Sequence, residues 1–190
     1  MPFAPDKEGV EELTFSYAIL LEGGRTGYHV HDRSEAGQWV REVLPQFESQ
    51  AVTLGLENDE KHSCFDLAGL VLRLDSRRVG ICLDTVDSLG ALEPSERVVE
   101  TLAPLTVNLH VKDFVIERLP YKMGFVVSGA PAGSGRLNIP WLLGEIRSDD
   151  KVSAILEQWP PPRESIVATI AMEQEWAEQG VQYLRSCGCS

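Results

Sequence analysis

Positive charge, cysteine and histidine are all scarce in this 190-residue chain, and each scarcity excludes something. Seventeen Lys and Arg stand against 29 Asp and Glu, for a formal net charge of −12. That balance argues against nucleic acid as a partner, which asks for a basic face, and against an electrostatic membrane anchor. No run of about 18 apolar residues exists, so no segment is expected to cross a membrane. The segment Met1 to Glu8 lacks the charged and apolar regions of a signal peptide, and the expected location is cytoplasmic. Cys64, Cys82, Cys187 and Cys189 have neither zinc-ribbon nor secreted-disulfide spacing. Cys82 lies in an apolar run and reads as a small buried hydrophobe. No Lys-Ser/Thr follows the Gly-rich stretch Gly129 to Gly135, so a P-loop is not expected, and there is no Gly-x-Ser-x-Gly nucleophile elbow.

What is present is a rhythm of short apolar runs, each ending in a side chain that can hold a metal. Val52 to Glu57, Val79 to Asp84, Val107 to His110 and Val152 to Glu157 are these runs. The first two intervals between the polar ends, Glu57 to Asp84 and Asp84 to His110, are 27 and 26 residues, near the length of one strand-helix unit. Helical patterns fall between the runs. Ser34 caps a helix to about Gln50 with Trp39, Val40, Val43, Leu44 and Phe47 inward. A second runs from His62 to Leu74 with Phe65, Leu67, Leu70, Val71 and Leu74 inward, and a third from Pro94 to Leu102. Asn138 caps a helix to Ile146, and a closing helix runs from about Glu164 to Leu184. Thr14 to Leu21 reads as a further strand. Alternation of this kind implies right-handed crossovers and a parallel sheet.

Other parts of the chain are less regular. Residues 1–13 read as an irregular leader and 186–190 as a disordered tail of a single domain, 1–190. Residues 114 to 136 show no long helical pattern and read as a long functional loop, flexible around Gly129 to Gly135. His29-Val30-His31 reads as a surface feature.

Each of the four polar ends has a plain explanation when taken singly. A Glu after a strand is often a solvated charge or a cap, and a lone His is more often a satisfied core group than a ligand. Four of them at consecutive parallel strand ends point instead to one site, because a charged group at a buried strand end is expensive unless paired or metal-bound. Glu57, Asp84, His110 and Glu157 make a carboxylate-rich set that suits Mn²⁺, Mg²⁺ or Co²⁺ and permits Zn²⁺.

At these residues the chain resembles the xylose isomerase-like TIM barrels, the sugar phosphate isomerases and epimerases. The resemblance rests on Glu57-Asn58, the run Gly80 to Val86, His110-Val111-Lys112-Asp113, Gly133-Ser134-Gly135-Arg136-Leu137, and Ile155 to Trp159. It extends from about Ala18 to Leu184. Two positions depart from it: Asp87, where the family usually has Asn, and Asp59, where it often has His.

The resemblance implies a partial (β/α) TIM-type barrel with about five parallel strands, open where strands one to three would be. It implies Glu57, Asp84, His110 and Glu157 as metal ligands, Glu57 and Glu157 as the acid/base pair, and Asn58, Lys112 and Arg136 near the substrate. The expected activity is isomerisation or epimerisation of a small sugar-like hydroxy-ketone through an enediolate. A polyol dehydratase or lyase of the same fold and an inactive, metal-binding half-barrel are the alternatives. A homo-oligomer could cover the open barrel edge, residues 1–13 could patch it, or the chain could be truncated.

Overall fold

The computed structural model describes residues 33–146 and 152–189. Helix α1 (Arg33–Ser49) leads to β1 (Leu54–Glu57), α2 (Cys64–Leu74), β2 (Val79–Asp84), α3 (Ser95–Leu102) and β3 (Thr106–Val111). Then come β4 (Asp113–Arg118), β5 (Phe125–Ala130), α4 (Ile139–Glu145), β6 (Ser153–Leu156) and α5 (Ile166–Ser186). Four strands form one parallel sheet in the order β1-β2-β3-β6, the expected α/β arrangement of a partial barrel. The further strand at Thr14 to Leu21, the leader and His29-Val30-His31 lie outside the described residues.

A parallel strand presents alternate residues to opposite faces, and here the faces differ sharply. Leu54 and Leu56, Val79, Ile81 and Leu83, and Leu109 and Val111 belong to the core that α1 to α4 close. The alternate set is small or polar: Gly55 and Glu57, Gly80, Cys82 and Asp84, Asn108 and His110. This second face is the inside of the partial barrel. Between Ile81 and Cys82 the register to β3 shifts by one residue, so β3 bulges at Val107. Gly55 and Gly80 leave room for the Val107 side chain; a Cβ on Gly80 would stand 2.3 Å from Val107 Cγ1 and 2.9 Å from Leu105 O. Gly80→Ala is therefore expected to lower stability by about 1–3 kcal/mol, the cost of overpacking a filled interior, measurable as a reduced urea midpoint.

Several elements differ from the sequence reading. Residues 113–130 are an antiparallel hairpin rather than a loop, with Asp113 opposite Ala130 and Arg118 opposite Phe125. The pattern hid it because Phe125, Val126 and Val127 are all exposed, so no alternation of burial marks the strand. Asp113 anchors its base: Oδ1 accepts from the amides of Phe114 and Leu137, and Oδ2 from those of Gly133 and Gly135. Phe65 and Trp39, expected inward, are exposed, and the Arg97 guanidinium lies over the Phe65 ring. Pro94 is the N-cap of α3 rather than its first residue. Residues 186–189, expected as disordered, end α5: the Cys187 amide donates to Tyr183 O and the Cys189 amide to Leu184 O.

Candidate metal centre

Glu57 and Asp84 are the last residues of β1 and β2, His110 is the penultimate residue of β3, and Glu157 directly follows β6. Register holds them together. Asp84 pairs with His110, His110 with Ile155, and the Glu157 amide donates to Val111 O at 3.1 Å. One donor atom from each of Glu57, Asp84, His110 and Glu157 lies within 4.8 Å of the other three. The four predicted ligands thus converge at the carboxyl end of the parallel sheet, where barrel folds carry their chemistry.

Charge is crowded at this pole. His110 Nδ1 sits between Glu57 Oε1 at 3.0 Å and Glu157 Oε2 at 2.9 Å. Lys112 Nζ lies 3.0 Å from Asp84 Oδ2, 3.0 Å from Asp87 Oδ1 and 3.1 Å from Glu157 Oε1. Four carboxylates therefore surround two nitrogen groups. Burial pushes the Asp84 carboxyl up, opposed by Lys112, and burial together with Asp84 pushes Asp87 up. Burial works against the Lys112 ammonium, but Asp84 and Asp87 outweigh it and hold the group above the ordinary lysine range.

His110 is raised from 6.5 to about 10 by its contacts with Cys82 and Glu57 against the pull of burial. Burial also raises the Cys82 thiol. A raised folded value means that the stabilisation from this imidazolium is full below about 6.5 and fades as pH climbs through about 10. The same proton opposes a metal ion. Affinity for Mn²⁺ is expected to rise about tenfold per pH unit across that window, with one proton released per ion. Calorimetric titrations in buffers of different ionisation enthalpy measure both; a pH-independent affinity would contradict it.

The donor set fits a divalent ion. Asp84 Oδ1 is occupied by the amides of Val86 and Asp87, which fixes the carboxylate and turns Oδ2 toward the cluster. Oδ2 is fully buried and has the Lys112 ammonium near it, but no donor is aligned to hydrogen-bond it. A buried carboxylate oxygen whose near partner is the Lys112 ammonium, beside three other metal-capable groups, is one that a divalent cation could also serve.

Of the residues expected near substrate, only Lys112 faces the cavity. That cavity, about 530 Å³, is lined by Glu60, Asp87, Lys112, Glu157 and Trp159 among others. Asn58 is not among the residues lining it. It is 1% exposed, its Nδ2 donates to Asp84 O and Ser88 Oγ, and its Oδ1 accepts from the Asp84 amide. Arg136 is exposed beyond β5, where its amide donates to Phe114 O, and it is not among the residues lining the cavity.

The two departures from the family pattern have structural roles. Asp87 clamps Lys112, and Asp59 accepts from the Lys61 and His62 amides and pairs with His62 Nδ1 at 2.9 Å. The sequence reading missed the polar layer beneath the site. Cys82 Sγ meets Asn108 Oδ1 at 3.2 Å, and Asn108 Nδ2 reaches Ser153 Oγ at 2.7 Å. The signal was the period-two spacing of Cys82 and Asp84, and of Asn108 and His110.

Residues 14–187 match the xylose isomerase-like TIM barrel family. The chain belongs to that family. It is 36% identical over 177 residues to the 3-oxo-isoapionate decarboxylase of Pectobacterium atrosepticum, covering 90% of this chain and 64% of that protein. Among solved structures it is similar to a xylose isomerase-like TIM barrel protein from Mycobacterium smegmatis in complex with magnesium. That match has a TM-score of 0.58 at 18% identity, over 80% of this chain and 53% of that one. It is also similar to the IOLI protein with a bound zinc atom, at a TM-score of 0.58 and 17% identity, over 82% of this chain and 55% of that one. The chain thus spans less than two thirds of its curated relative and about half of these structures, in keeping with a partial barrel. No helix among the described residues is long and apolar enough to cross a membrane.

Proposed function

We propose that this chain carries the metal-centred part of an enzyme acting on a small sugar-like hydroxy-ketone, with isomerisation or epimerisation through an enediolate as the reaction. The observation that carries this reading is the convergence of Glu57, Asp84, His110 and Glu157 donors within 4.8 Å beside an open cavity. Mn²⁺, Mg²⁺ or Co²⁺ suits the three carboxylates and one imidazole, and Zn²⁺ is also accommodated. When bound, such an ion supplies Lewis acidity to a carbonyl and its neighbouring hydroxyl. Glu157, which lines the cavity, is placed to move the proton beside the carbonyl, and Lys112 steadies the developing oxyanion. Asp87 and Asp84 hold the Lys112 ammonium charged and aimed. Ile155 and Trp159 stay exposed near the β6 edge, the surface that a second copy could cover.

One observation favours a second reading. Glu57, the other half of the expected acid/base pair, is buried, is engaged with His110 and is not among the residues lining the cavity. An isomerase that works by two glutamates needs both at the substrate. Loss of carbon dioxide from a 3-oxo sugar acid reaches the same enediolate without removing a proton from carbon and then needs one proton donor, which Glu157 alone could provide. The 36%-identical decarboxylase relative points the same way.

One experiment separates the two. The Mn²⁺-loaded protein is incubated in D₂O with ketoses and with 3-oxo sugar acids, and both deuterium entry and carbon dioxide release are followed. Deuterium exchange into a ketose without gas supports the isomerase. Carbon dioxide release with one deuterium fixed in the product supports the decarboxylase. Neither event with any substrate counts against an enzyme in both forms and favours the inactive half-barrel.

A further inference from the structure

Cys82 is placed where an inert buried cysteine would not be. It shares the inner face of β2 with Asp84, two residues away. Register sets it opposite Glu57 on β1 and Asn108 on β3. Its thiol is fully buried, yet its surroundings are polar, with Asn108 Oδ1 3.2 Å from the sulfur. Glu57, Cys82 and His110 each offer one donor atom, all within 4.8 Å of one another. The dull alternative, a small hydrophobe filling space, would put apolar groups around the sulfur, as around Ile81 and Leu83 on the opposite face of the same strand.

We propose that Glu57, Cys82 and His110 form a second, inner cation position that takes a thiophilic divalent ion. It shares two donors with the outer carboxylate-rich set. The outer set, with Asp84 and Glu157, offers mainly oxygen and suits hard ions, whereas the inner set offers a sulfur and suits zinc or cadmium. Filling the inner position forms a sulfur–metal bond, and the thiol proton leaves to solvent. No electron is transferred. Three protein donors leave part of the coordination sphere open. Since Glu57 and His110 serve both positions, one ion excludes the other, and a soft ion silences the hard-ion site. This inference does not rest on the sugar chemistry; it needs only the two donor sets.

The test uses the full chain with Cys187 and Cys189 replaced by serine, so that the terminal thiols stay silent, and cadmium as the probe. Cadmium is expected to give an ultraviolet sulfur-to-metal charge-transfer band at one equivalent. It is also expected to displace bound Mn²⁺ one for one, read as free Mn²⁺ by electron paramagnetic resonance. Cys82→Ala should abolish the band while Mn²⁺ still binds the outer set. Glu157→Gln should do the reverse, keeping the band while weakening Mn²⁺ binding about tenfold or more. Cadmium NMR needs no Cys82 variant: ligation by one thiolate shifts the resonance downfield of the oxygen–nitrogen range.

Cadmium binding without a sulfur band, a band that survives Cys82→Ala, a resonance in the oxygen–nitrogen range, or cadmium bound alongside retained Mn²⁺ would each overturn the proposal. Mn²⁺ binding without any cadmium–sulfur signal defeats the inner position alone. A cadmium–sulfur signal without Mn²⁺ binding defeats the outer site and the function built on it.

Discussion

Glu157→Gln should lower turnover by about 100- to 10,000-fold, the range for removing a positioned acid/base group. The side chain follows an edge strand of the described sheet, is 40% exposed and lines the cavity, so it can meet a substrate. Its two oxygens are already committed in orientation, Oε2 to His110 at 2.9 Å and Oε1 to Lys112 at 3.1 Å. Glutamine keeps the volume and removes both the charge and the proton acceptor. Its NH₂ group would face one of the two cations, so weaker metal binding accompanies the lost chemistry. Glu57→Gln provides the contrast. Because Glu57 is buried and directed at His110, its loss should appear chiefly as weaker metal affinity, with turnover largely recovered at saturating Mn²⁺. Measuring turnover against metal concentration for both variants separates the roles. Equal recovery of the two at high Mn²⁺ would remove Glu157 from the proton transfer. Failure of Glu57→Gln to recover would restore the two-glutamate mechanism.

The site was legible where sequence order and spatial order coincide. Glu57, Asp84, His110 and Glu157 each end an apolar run, and parallel strands bring such ends to one side of the sheet. What sequence could not show depends on register or on distant partners. Asn58 looked like a substrate contact, but its amide is consumed by Asp84 and Ser88, which are 26 and 30 residues away. Asp87 and Lys112 meet across 25 residues, and nothing local marks the pair. Glu93 is another such case: it accepts from the Cys64 amide at the start of α2, 29 residues back. Cys82 was read from its apolar neighbours along the chain, while its chemistry comes from Glu57 and Asn108 on the flanking strands. The hairpin was lost for a different reason. A two-stranded ribbon with apolar groups exposed has no burial pattern for a sequence to display, and its Gly-rich end mimics a loop.

Lys112→Met tests the electrostatic account of the site through stability instead of turnover. In the metal-free protein this ammonium is the counter-charge shared by Asp84, Asp87 and Glu157 at 3.0, 3.0 and 3.1 Å. Removing one partner of a buried ionic group leaves the others uncompensated, which typically costs about 3–5 kcal/mol. Methionine preserves most of the stem's packing, so the loss reports charge. Two dependences follow. Burial already raises Asp84 and Asp87, and the lysine opposes that rise. Without it, the folded carboxyls hold protons more readily than the unfolded chain does, and the deficit should shrink as pH falls. A divalent ion replaces the missing positive charge, so Mn²⁺ should raise the stability of the variant by more than that of the parent. Urea unfolding at two pH values, with chelator and with excess Mn²⁺, reads both. A deficit of the same size under all four conditions would mean that Lys112 acts by packing alone and not as a counter-charge to Asp84, Asp87 and Glu157.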